Sequence, residues 1–300
     1  MFKLLRRIKF IRKLMIKYPR TYEYLRNVVH LLEHREVKLL APYIAFFILL
    51  SFIPIITLVF EVIFLTVSNN QELINVLSDV LPGHVYTIFV RLIDHNVGAI
   101  KILTLSNLVL LFVSSKLYLA FYNSYLIIYN VQPKQFYLRG RIVAFINTLL
   151  LIILIFFLSV FTIFNSYIYD LMLNYMDFDI MGYLYNYLNL VLSIMIISSI
   201  VTFLMYSVPD IRQKVRDVIQ GSLFVTLGWI VVSFGFKIYS DNFADYQTVY
   251  KTFTSLIVFV IWIYLISYVL VIGIVLNRAK ITTNKKVNIK KNSNEIHLRE

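Results

Sequence analysis

Lys116 stands near the middle of a run that is otherwise uncharged from Ile102 to Gln132. A primary amine so placed can hold or steer an anion if water or a counter-charge keeps it ionised. Putting it at the middle of a bilayer costs about 3 kcal/mol even on a lenient scale, so it needs a partner or a wet cavity. Asn123 follows seven residues later on nearly the same helical face, and Asn107 and Ser115 add polar surface to the same run. Glu61 is the only acid inside any of the long apolar runs and is the candidate counter-charge. Pro54 lacks an amide donor and frees a carbonyl in its own run, as discontinuous helices at transport sites do. Together Lys116, Asn123, Asn107, Ser115, Glu61 and Pro54 form a candidate substrate pathway. The plainer alternatives are a polar contact between helices, or a lysine whose stem reaches to the interface.

One further spacing resembles metal chemistry. His30-Leu31-Leu32-Glu33-His34 puts two histidines one helical turn apart around a glutamate, as some zinc proteases do. A third ligand is missing, because Glu36 is too close in sequence and Asp210 and Asp217 lie in a short basic loop. The expectation is a solvated polar helix face, with no metal, no cofactor and no catalytic residue. No phosphate-binding glycine loop or nucleophile elbow occurs. Asn147, Asn165, Asn186 and Asn189 read as interhelical hydrogen-bonding residues.

The elements that position these residues are six apolar runs at about 39–68, 102–130, 142–169, 180–208, 218–236 and 252–277. Each supplies the roughly 20 residues needed to cross about 30 Å of hydrocarbon as a helix. The short alternating segments of a membrane barrel are not seen. With 59% hydrophobic and 15% charged residues, there is too little polar surface to coat a soluble globule. The fold expected is all-α: a polytopic membrane domain over 39–278 with six transmembrane helices and amphipathic interfacial helices.

Lys and Arg fall almost wholly in alternate loops. Residues 1–38 carry 11, the second-to-third loop 3, the fourth-to-fifth loop 3 and the segment from Arg278 onward 7 of the 29 in the chain. That bias places both termini in the cytoplasm. It also accounts for the net charge of +13 by topology and anionic lipid rather than nucleic acid.

Residues 1–38 read as a basic amphipathic surface segment, with Arg6, Arg7, Lys9, Arg12 and Lys13 meeting lipid headgroups. The first apolar run begins only at Leu39, too late for a cleavable signal. Two stretches, Leu73–Leu81 and Val85–Ile93, read as short amphipathic helices on the outer face. Arg216 and Asp217 read as the anchored start of the fifth helix, and residues 279–300 as a basic polar tail, disordered or loosely held by the lipid surface. Cysteine is absent, which removes disulfides and thiolate sites.

Several stretches resemble the YihY/BrkB family of bacterial inner-membrane proteins. They are Ala45-Phe46-Phe47 with Leu50-Ser51-Phe52-Ile53-Pro54; Asn123 before a basic loop; and a long block from Val208-Pro209 through Arg216-Asp217, Gly221, Trp229, Phe236, Tyr239, Tyr246 and Tyr250 to Trp262-Ile263-Tyr264, Gly273 and Asn277. Lys251 and Val275 depart from the family pattern, which often has glycine and glutamate there. The resemblance implies a multi-pass protein of the bacterial cytoplasmic (inner) membrane, in a family associated with envelope integrity, suspected of transport or lipid translocation, and once labelled ribonuclease BN.

Together these readings lead to one expectation: a non-enzymatic translocator of a lipid, lipid-linked or small anionic substrate without its own ATPase. Its partners would be membrane lipids with anionic headgroups on the cytoplasmic side, not nucleic acid; homo-oligomerisation is left open. The competing expectation is a non-transporting envelope-integrity scaffold.

Overall fold

A computed structural model describes residues 17–67, 105–132, 140–154, 179–208, 211, 213–243 and 248–297. All regular structure among these residues is helical. The helices are α1 (Pro19–Glu33), α2 (Arg35–Lys38), α3 (Leu40–Val67), α4 (Leu105–Tyr129), α5 (Gly140–Leu154), α6 (Asp179–Tyr206), α7 (Val215–Phe243) and α8 (Thr248–His297). Among the described residues three stretches, Leu108–Tyr129, Val215–Tyr239 and Ile257–Asn284, are long and apolar enough to cross a membrane, and Gly140–Leu154 and Leu190–Tyr206 are shorter apolar helices. The two amphipathic stretches between residues 73 and 93, and Arg6, Arg7, Lys9, Arg12 and Lys13, lie outside the described residues.

Local chemistry sets the helix ends. Pro19 opens α1 at a position where a missing amide hydrogen costs nothing. His34, extended at φ −60° and ψ 131°, breaks the chain between α1 and α2. Tyr129 closes α4 because Asn130 takes a left-handed backbone at φ 52°, which asparagine tolerates better than most residues. The Asn130 amide then bonds the Ile127 carbonyl at 3.1 Å and the Val131 amide bonds Leu126 at 3.0 Å, the paired bonds of a Schellman cap. At the start of α7 the Asp217 carboxylate accepts the Lys214 amide at 3.1 Å, placing an acid in the first turn where the helix dipole favours it.

The chain divides into two compact units, residues 1–45, 121–134 and 198–300 forming one and 46–120 with 135–197 the other. In the first, α7 packs along α8, and α1 lies against the later part of α8. Its core includes Ile44, Tyr125, Met205, Val218, Val225, Val271, Ile274 and Val275, all buried. In the second, Leu58, Tyr118, Ala120, Ala144 and Ile152 are buried. Leu223, Leu227, Val231 and Phe234 remain exposed along α7, a surface suited to lipid rather than water.

Helix α8 corrects one expectation. Its 50 residues extend about 75 Å, and the tail expected to lack fixed structure continues the helix to His297. No glycine or proline follows Gly273. The Thr282 and Thr283 hydroxyls bond back to Arg278 and Ala279 carbonyls at 2.9 and 2.8 Å. Helix α1 supplies partners across the gap: Asn27 donates to Thr283 at 2.9 Å and Arg20 to Asn284 at 2.9 Å. Composition alone conceals such long-range bonds.

Candidate functional site

The pathway residues divide between the units. Lys116 is the twelfth of the 25 residues of α4 and is half-buried. Among the described residues none is hydrogen-bonded or ion-paired to its ammonium. Ser115, fully buried, donates to the Phe112 carbonyl of its own helix at 2.7 Å, and Ser114 does the same to Leu110 at 2.8 Å. One turn before Lys116, Phe112 carries the Arg141 guanidinium over its ring at 4.2 Å. A second cation therefore stands near the middle of α4, a role that assigning Arg141 to a loop hides. Pro54 is buried within an α3 helix that runs unbroken across it. Glu61 and Asn107 belong to α3 and α4, but their side chains lie outside the described residues.

Asn123 sits farther along α4, in the other unit. It is exposed and donates to the Tyr43 hydroxyl at 3.4 Å. His30 and His34 are both exposed, with rings edge to face at 4.9 Å. Among the described residues no three His, Asp or Glu side chains group to hold a metal ion.

A polar cluster of the first unit escaped the sequence reading. Asn277, fully buried, accepts the Gly221 amide at 2.8 Å through Oδ1 and donates Nδ2 to the Met205 sulfur at 3.3 Å. Ser222 donates to the same sulfur at 3.5 Å. The Tyr129 hydroxyl donates to Gln213 Oε1 at 3.2 Å, and Gln213 Nε2 donates to the Met205 carbonyl. The buried Tyr125 hydroxyl lies beside Asn277, Gln213 and Tyr129 without meeting any in good hydrogen-bonding geometry. Helices α4, α6, α7 and α8 thus meet at one polar knot. The only sequence signal was an asparagine and a glutamine at the ends of apolar runs.

Around that knot the α7–α8 contact is set by small residues. A Cβ at Gly221 would run into the Gly273 carbonyl and the Asn277 amide, and one at Gly228 into Val269. Trp229 Nε1 donates to the Ile266 carbonyl at 3.0 Å and Trp262 Nε1 to Ser233 Oγ at 3.4 Å. Gly221, Trp229, Trp262, Gly273 and Asn277, which carry the sequence resemblance, are therefore one packing device. A family model described as virulence factor BrkB matches residues 28–296.

The chain belongs to the BrkB family. Curated relatives match over short stretches: a Bacillus subtilis protein named as ribonuclease-like, YfkH, is 37% identical over 65 residues, which are 22% of this chain and 24% of that protein. A UPF0761 membrane protein of Nitrosospira multiformis is 31% identical over 86 residues, 28% of this chain and 20% of that one. Another from Azoarcus sp. is 27% identical over 79 residues, 26% and 19% respectively. Each match thus spans about a quarter or less of the relative's length. No solved structure matches. Val275, where the BrkB resemblance leads one to expect glutamate, is fully buried, so an apolar side chain closes the core there.

Proposed function

We propose that this BrkB-family membrane protein crosses the cytoplasmic membrane six times with both termini inside, and translocates a lipid, lipid-linked or small anionic substrate without an ATPase of its own. The observation that carries this reading is Lys116, half-buried midway along an apolar helix, with Arg141 over the ring one turn away. Two cations at such a place are costly unless they meet an anion or water. The topology draws support from the first unit, where three of the four basic segments, those around α1, the start of α7 and the later part of α8, are hydrogen-bonded together. Gln220 at the start of α7 donates to Tyr24 of α1 at 3.4 Å, and Lys280 of α8 to the Arg216 carbonyl at 3.0 Å. Burial raises the Tyr24 phenol above its usual value, so it meets Gln220 as a neutral hydroxyl. Segments bonded at one pole share one side, and their positive charge favours the cytoplasm. The protein is not a nuclease on this reading, because the residues that carry the family pattern pack helices rather than surround a reactive group.

The test is mass spectrometry of lipids and small molecules co-purifying with gently solubilised protein, wild type against Lys116→Met. A species enriched on wild type and lost from a well-folded variant supports the pathway and names the substrate to test in liposomes. Identical profiles favour the scaffold reading, for which the glycine-tight α7–α8 pair is the supporting observation: a contact with no room to slide suits a fixed frame.

A further inference from the structure

A cavity of about 500 Å³ opens in the first unit between α1, the capped end of α4 and α8. Arg26 and His30 line it from α1, four residues apart and so on one helical face, and His34 lines it from the break between α1 and α2. Arg278 lines it from α8, its guanidinium stacked 5.2 Å from the Tyr129 ring centroid. Asn130 contributes from the α4 cap, and among the described residues Glu36 is the only acid in the lining.

These cations have an alternative explanation, since helix carboxyl ends favour positive charge and both α1 and α4 end here. For α4 that explanation is weak, because the cap of Asn130 and Val131 already occupies its last carbonyls. Among the described residues neither Arg26 nor Arg278 is paired with a carboxylate. The guanidinium groups, which present paired donors matched to phosphate oxygens, are left facing a space.

We propose that this cavity binds a phosphate monoester, with Arg26 and Arg278 holding the terminal phosphate and His30, His34 and the Asn130 side-chain amide donating at its rim. Inorganic phosphate alone would leave most of the volume empty, so an organic group accompanies it. That group is either the glycerol of a lipid such as phosphatidate or the body of a soluble phosphate ester. The site lies in a different unit from Lys116, and it requires no translocation.

Binding to the full chain in detergent is the test, with dihexanoyl phosphatidate as probe, dihexanoyl phosphatidylcholine as control and glycerol 3-phosphate as competitor. Saturable binding of phosphatidate but not phosphatidylcholine is expected, weakened at least about tenfold by Arg26→Gln with Arg278→Gln. Competition by glycerol 3-phosphate at similar concentration identifies a soluble ester as the ligand, and lack of competition identifies the lipid. Glu36→Gln, at an exposed position, reads the opposite sign: removing the acid tightens binding, so the result does not depend on the double variant folding. Equal binding of phosphatidylcholine, no saturable binding, or affinities unchanged in Glu36→Gln and in a folded double variant would overturn the proposal.

Discussion

In the first unit several polar side chains reach across to other segments, as Asn277 does to Gly221 and Met205, Tyr129 to Gln213 and Trp229 to Ile266, while Ser222, Thr226 and Ser267 turn back onto their own helices. Among the described residues of the second, Ser114, Ser115, Asn147 and Thr148 each turn back onto a carbonyl of their own helix. Inside lipid there is little hydrophobic drive between helices, so association rests on close packing and on such cross-bonds. A unit rich in cross-bonds holds one arrangement. A helix whose hydroxyls are satisfied locally can present its remaining polar group, here Lys116, without unlocking its neighbours. On the proposed reading, one region holds and the other handles.

The sharpest way to break that contrast is Gly221→Val. A branched side chain between α7 and the Gly273 carbonyl has nowhere to go, and overpacking costs about 1–3 kcal/mol or more. The expected outcome is loss of folded protein, read as a collapsed monodisperse peak and a lowered thermal midpoint in detergent. A well-folded Gly221→Val protein would show that α7 and α8 are not held as described. Next in size is Asn277→Leu, which strips the Gly221 amide and Met205 sulfur of their shared partner. The cost expected is about 1–2 kcal/mol, again as a lower thermal midpoint, with lipid profile unchanged because the residue holds rather than handles.

Much of this was legible in the sequence. Helical class and three helices long and apolar enough to cross a membrane follow from apolar run length, and Asp217 at the α7 start follows from its position ahead of such a run. What escaped notice shares one cause: it depends on residues far apart in the chain. Asn277 resembles any asparagine closing a span until Gly221 and Met205 are seen beside it, 56 and 72 residues away. The polar tail reads as unstructured until α1 is seen supplying Asn27 and Arg20, more than 250 residues earlier. Arg141 reads as a loop charge until Phe112 lies under it. The proposed six-fold crossing and its orientation rest on the pattern of apolar runs and charge and on the shared pole of three basic segments.

The smallest effect is also the most discriminating, because Asn123 shares a helix face with Lys116 yet lies in the unit that holds. Its contact with Tyr43 is long at 3.4 Å and its side chain is exposed. Asn123→Ala should therefore cost only about 0.5 kcal/mol, near the limit of a thermal-shift measurement. If Asn123 only holds, the variant shows that small shift and the co-purifying lipids are those of wild type. If it handles substrate, the co-purifying profile moves toward that of Lys116→Met while the thermal midpoint stays nearly fixed. The second outcome would extend the handling surface of α4 past Ala120 into the first unit, so one helix would serve both regions and the boundary between them would be one of packing, not of function.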